Sequence, residues 1–141
     1  MAIRNAHKFV LAAGLNGLEE CLKDLPVETM GVQTGRNALK VIRLNGPAVC
    51  LVSALNLPDM PDGKLIQLLR DAYPWMRCIA IIQNEDGNEE RCARQAGACT
   101  VFPASVSGTT LLETVMRLLQ VQPISRRKEP VLSAVESMDL M

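Results

Sequence analysis

The sequence predicts an α/β domain built on a doubly wound parallel sheet, and three observations carry that expectation. Short apolar runs alternate strictly with longer segments of helical period. Two of the short runs are apolar without interruption, as strands covered on both faces are. The connections span only a few residues and are dense in turn formers, so the elements read as β-α units whose parallel strands need crossovers.

The first strand is expected over residues 8–13, KFVLAA. Leu18, Cys21, Leu22 and Leu25 then fall at helical spacing, and Pro26 bars continuation. Residues 27–32 form a half-polar strand, as at a sheet edge. Ala38, Val41 and Ile42 mark a short helix closed by Asn45-Gly46-Pro47. Residues 48–54, AVCLVSA, read as a strand buried on both faces. After the turn PDMPDG, Leu65, Leu68, Leu69 and Ala72 make a helical stripe that ends before Pro74. Residues 78–82, CIAII, are a second buried strand. Residues 88–95 form a polar helix with Cys92, Ala93 and Ala96 as its apolar side and Gly97 as its C-cap. A fifth strand covers residues 99–102 and a fifth helix residues 111–119. Five such units in this length suit a flavodoxin-like domain with ligands at the carboxyl ends of the strands.

Composition narrows the function. The 141 residues suit one compact domain, assigned to residues 1–121, followed by a basic, proline-containing linker and a short amphipathic helix in residues 122–141. Fifteen basic and fifteen acidic side chains cancel, so no strong field favours nucleic acid or an anionic membrane. The first eight residues are polar, and no apolar run approaches the roughly 20 residues that cross a bilayer. A cytoplasmic protein is expected. Five cysteines, Cys21, Cys50, Cys78, Cys92 and Cys99, lie within apolar segments without a C-x-x-C pair and read as buried thiols. With His7 the only histidine, no zinc site is expected.

Two segments then resemble the receiver domain of bacterial response regulators, the family of the chemotaxis regulator. Residues 55–63, LNLPDMPDG, are similar to the family's D-L-N-L-P-D-M-D-G run after the third strand, with Pro61 as an added residue. Residues 95–98, QAGA, are similar to the E-A-G-A ending of its fourth helix. The likeness extends from about residue 8 to residue 120 and implies strand order 2-1-3-4-5. It also implies a site, and the site is where this chain departs from the family. The phosphoacceptor aspartate falls on Ala54, and the two magnesium-binding acids fall on Ala13 and Gly14. The hydroxyl residue ending the fourth strand falls on Ile82 or Gln83, and the lysine ending the fifth on Pro103 or Ala104. The aromatic switch position falls on Val101. Magnesium needs hard oxygen ligands, and Ala13, Gly14 and Ala54 offer no side-chain oxygen. An acyl phosphate needs a carboxylate nucleophile and a cation to neutralise the transferred group, and neither remains.

Other residues read more simply. Asp59, Asp62, Glu85 and Asp86 fit solvated turn carboxylates, and Ser53 fits a buried hydroxyl bonded locally. Gly14-Leu15-Asn16-Gly17 stands where nucleotide folds bind phosphate but lacks the glycine spacing of those loops. Cys50 and Cys78 fit small core hydrophobes, and Tyr73 and Trp75 a packed cap on the core.

The expectation is therefore a degenerate receiver: a non-enzymatic signalling module without cofactor or metal that recognises a protein partner, with a homodimer as one form. Two alternatives stay open, a phosphorelay receiver with a non-standard acceptor and a small nucleotide- or cofactor-binding protein of the same fold. The candidate interaction surface comprises Arg91, Arg94, Val101, Leu111, Glu113, Met116, Arg117 and Leu118. The helix over residues 111–119 is apolar over more than one core-facing stripe. The tail's Val131, Leu132, Val135 and Met138 form a stripe that such a surplus would cover.

Overall fold

Residues 8–120 are described by the computed structural model of the protein. Strands β1 (Phe9–Ala13), β2 (Glu28–Val32), β3 (Cys50–Ala54), β4 (Arg77–Ile82) and β5 (Thr100–Pro103) all pair in parallel, in the order β2-β1-β3-β4-β5. The α-helices are α1 (Gly35–Asn45), α2 (Lys64–Ala72), α3 (Asn88–Ala96) and α4 (Gly108–Gln120). A 3₁₀ helix, Leu18–Asp24, joins β1 to β2. The expected architecture and strand order are both present.

Side chains alternate across a strand, so each central strand feeds two cores. Phe9, Leu11 and Ala13 join Leu51, Cys78 and Ala80 beneath α1, α2 and α3. Val10 and Ala12 join Cys50, Val52, Ile79 and Ile81 beneath the 3₁₀ helix and α4. Every residue of β1 is buried, which is why its sequence shows no alternation. Each fully buried leucine or isoleucine contributes roughly 1.5–3 kcal/mol, so these two layers dominate the fold's stability. The edge strands differ: β2 is half-exposed, and β5 ends at Pro103, which lies opposite Ile82.

Local chemistry sets the helix ends. Thr34 caps α1 by accepting the Asn37 N–H at 3.1 Å. At the end of α3, Gly97 takes φ +115°, and the Gly97 and Ala98 amides donate back to Arg94 and Ala93. A Cβ at Gly97 would also lie 2.9 Å from Arg70 Cγ.

Four local expectations are corrected. The first helix is 3₁₀, not α. Positive φ at Asn16 and Gly17 delays its start to Leu18, and Pro26 limits its end. A rise of about 2.0 Å per residue, against about 1.5 Å in an α-helix, lets the short segment cover β1. In α2 the buried residues are Leu65, Ile66 and Leu69, whereas Leu68 is half-buried and Ala72 exposed. The thiols are not uniformly buried: Cys50 and Cys78 are, Cys21 and Cys92 are partly so, and Cys99 is exposed where β5 has a neighbour on one side only. Burial pushes the Cys50 and Cys78 thiols well above their ordinary range, as expected for inert core residues. Finally, Tyr73 packs on the core, but Trp75, edge-on to it at 6.0 Å, is 45% exposed.

Helix α4 explains its own wide apolar face. Leu111 and Val115 are buried, while Leu112, Leu118 and Leu119 pack partly against the same cluster as Leu18 and Cys21 of the neighbouring 3₁₀ helix. A helix wedged between a sheet and a second helix needs a broader stripe than one lying on a sheet alone. The linker and tail assigned to residues 122–141 lie outside the described residues. Among the described residues, no helix is long and apolar enough to cross a membrane.

Candidate functional site

The carboxyl ends of β1 and β3 bring Ala13, Gly14 and Ala54 together, and Leu57 closes over them. Ala13 is fully buried and Ala54 partly so. Gly14 holds φ +67°, and its N–H donates to the Val32 carbonyl at 2.9 Å. A Cβ on Gly14 would lie 2.6 Å from Leu57 Cδ2 and 3.4 Å from Ala54 Cβ. Leu57, 6% exposed, therefore fills the space into which any side chain at position 14 would point.

The loop after β3 is built to aim this leucine inward. Leu57 and Met60 exchange backbone hydrogen bonds of 3.0 and 3.2 Å, closing a tight turn around Pro58 and Asp59. Asn56 Oδ1 accepts the Asp62 N–H at 2.6 Å and secures the loop's exit. Asp59 is not a free turn carboxylate, as the sequence reading had it. Its two oxygens accept the N–H groups of Gly35 at 2.8 Å and Arg36 at 2.9 Å, clamping the loop to the start of α1. Those hydrogen bonds, from Gly35 first and Arg36 second, hold its carboxyl below the usual range.

A second carboxylate occupies the end of β4. Glu89 Oε1 accepts the backbone N–H groups of Gln83 at 2.9 Å and Asn84 at 3.1 Å, and Oε2 accepts from Asn84 Nδ2 at 3.0 Å. Its carboxyl is held low, chiefly by the Asn84 amide. Residues 83–87 loop back over the first turn of α3, and this is what lets a helix side chain reach the strand end.

The remaining predicted positions carry little chemistry. Ile82 is buried, Gln83 exposed, Pro103 half-buried and Ala104 exposed. The Ala104 N–H donates to the Ile82 carbonyl at 2.8 Å, extending the β4–β5 pairing. Ser53, fully buried, satisfies its hydroxyl on the Ala54 carbonyl at 2.8 Å. Magnesium does not fit this set. A hard cation needs several oxygen ligands, and here methyl groups and the Leu57 side chain converge instead. Among the described residues, no three His, Cys, Asp or Glu side chains gather as a metal-binding group.

The predicted interaction surface is only partly a surface. Leu111 is fully buried, because it faces the sheet from the first turn of α4, and it is withdrawn from that surface. Val101 and Leu118 are half-buried against the two cores. Glu113 and Arg117 are exposed, and Met116 is 37% exposed. Arg94 pairs with Glu90 at 3.4 Å, and Arg91 donates to Asn88 Oδ1 at 3.0 Å. Two features escaped the sequence reading: Leu57 as the plug, and the clamping roles of Asp59 and Glu89. An apolar residue inside a turn-rich loop was the available signal for the first.

No protein-family model and no curated protein sequence matches the chain. Solved structures do resemble it. A CheY-like response regulator receiver domain from Methanospirillum hungatei JF-1 superposes with TM-score 0.72 at 21% identity, over 83% of this chain and 97% of that one. The receiver domain of a signal transduction histidine kinase from Syntrophus aciditrophicus gives 0.71 at 19% identity, over 91% and 99%. That of a LuxO repressor-like protein from Vibrio parahaemolyticus gives 0.70 at 20%, over 81% and 91%. At such identities the likeness is one of fold, and the fold of this chain is that of the response-regulator receiver domain.

Proposed function

We propose that this chain is a pseudo-receiver: a signalling module that acts through fixed protein-binding surfaces, without phosphorylation and without catalysing a reaction. The observation that carries the reading is the Leu57 side chain beside Ala54, 2.6 Å from the point where a Cβ on Gly14 would stand. A receiver site needs carboxylates and room for a metal-bound phosphoryl group. Here the residues are absent, and the volume is filled by hydrocarbon. The Glu89 carboxylate adds support, because it already takes the two backbone amides at the end of β4.

The cofactor-binding alternative draws less support. The Gly17 N–H that a phosphate would use is bound by Glu19 Oε1 at 2.8 Å. The 3₁₀ helix that follows is too short to present a strong dipole.

Amide NMR of the chain with acetyl phosphate, or with beryllofluoride and magnesium, tests the reading. The expected spectrum is unchanged. Saturable shifts centred on Ala13, Ala54 and Gln83 would overturn it. Ala54→Asp alone should also fail to form a stable acyl phosphate, since the metal ligands and the lysine are still missing.

A further inference from the structure

Helix α1 presents a surface unlike any other helix face of the domain. Arg36, Lys40 and Arg43 are exposed and fall at i, i+4 and i+7, one line along the helix. No acidic residue occurs in α1, and none of the three enters a salt bridge among the described residues. On α3, by contrast, Glu90 pairs with Arg94. Two leucines flank the basic line, half-buried Leu39 on one side and Leu44, 68% exposed, on the other.

The surface is also concave. A groove of about 530 Å³ is lined by Thr34, Arg36, Leu39, Arg43, Asp59 and Met60. Met60 overhangs the start of the helix so closely that a Cβ on Gly35 would strike its sulfur. Methionine is soft and adapts to different side chains, which suits the wall of a recognition groove.

We propose that this face of α1 docks an acidic amphipathic helix of a partner protein, its carboxylates along Arg36, Lys40 and Arg43 and its apolar residues against Leu39 and Met60. The proposal rests on the pseudo-receiver reading in one respect only, that recognition uses a surface present without phosphorylation. Charge complementarity selects the occupant. A polyphosphate backbone is disfavoured, because three cations are few to neutralise it. The Asp59 carboxylate in the groove is already engaged by the Gly35 and Arg36 amides. A lipid surface is disfavoured as well, because the apolar side of α1 is already in the core and leaves one exposed leucine to insert. A helix laid in the groove can meet Arg36 and Arg43 with its carboxylates and Leu39 and Met60 with its apolar residues.

The test uses the full chain and a labelled synthetic peptide of about 16 residues, long enough to form a helix on contact, with glutamates on one face and leucines beside them. Expected are saturable amide shifts along α1 and at Met60, with affinity falling about tenfold between low and high salt. Arg36→Glu with Arg43→Glu should weaken binding about tenfold or more, and Met60→Ser severalfold, with far-UV circular dichroism unchanged. Shifts confined to α4, binding indifferent to the charge reversal, or tighter binding of anionic vesicles or duplex DNA than of the peptide would each overturn it. So would an unresponsive α1, as when residues 121–141 or a second copy already covers the helix. Shifts at Ala54 with acetyl phosphate in the same sample would defeat the pseudo-receiver reading and leave this docking result standing.

Discussion

The two loops at the carboxyl edge of the sheet, after β3 and after β4, are secured by different physics. Both use a carboxylate that accepts two backbone amides: Asp59 on Gly35 and Arg36, Glu89 on Gln83 and Asn84. Only the loop after β3 also sends a side chain into the core, Leu57 at 6% exposure. The loop after β4 has exposed residues at Gln83, Asn84, Glu85 and Asp86. One loop is thus a piece of the hydrophobic core, and the other is a hydrogen-bonded lid. At the same strand end where a receiver keeps its chemistry, this chain has a loop that depends on packing.

The largest expected effect tests that contrast directly. Leu57→Ala should cost about 2–5 kcal/mol, the usual range for a buried leucine that leaves a cavity, read as a lowered urea midpoint. Glu89→Ala should change global stability far less, because it removes hydrogen bonds to one loop and opens no cavity in the apolar core. Its effect should be local: exchange of the Gln83 and Asn84 amides should quicken roughly fivefold, while amides of residues 55–63 hold steady. If the two variants shift the urea midpoint equally, the loops are held alike and the comparison fails.

The smallest effect is that of pH. Both carboxyls are held below their ordinary values in the folded chain, so each contributes stability that is complete above its unfolded pKa. That contribution is lost as pH falls through the ordinary carboxylate range and then through the lower folded values. Acid should therefore release both clamps while Leu57, held by packing, stays seated. Amide spectra collected from pH 6 downward should show the Gln83 and Asn84 signals moving before those of Leu55 and Leu57. The reverse order would show that the plug depends on the Asp59 clamp.

How far the sequence could be read follows from which forces leave a pattern. β1, β3 and β4 were legible because burial on both faces demands unbroken apolar runs. That Ala13, Gly14 and Ala54 lie together at the strand ends was legible through the resemblance of the flanking segments. The 3₁₀ helix was not, because the spacing of Leu18, Cys21, Leu22 and Leu25 suits either helix and only the backbone at Asn16 and Gly17 decides. Leu111 looked available for a partner because a wide apolar stripe does not reveal that a second helix lies beside it. Glu89 carried no signal in the sequence, because its partners are chiefly backbone amides, which are the same in every sequence.

Pro103 has a consequence for how this molecule meets others. Neighbouring residues in a strand direct their N–H groups to opposite sides. Since the Ala104 amide points inward to Ile82, position 103 faces the outer rim, and proline has no N–H to offer there. An incoming strand would find Val101 as the sole outward donor of a four-residue edge. Growth of the sheet by addition of a sixth strand is thereby blocked on that side, along with the runaway stacking that bare edges invite. The helix faces, where charge and shape vary from residue to residue, are left as the surfaces that can discriminate.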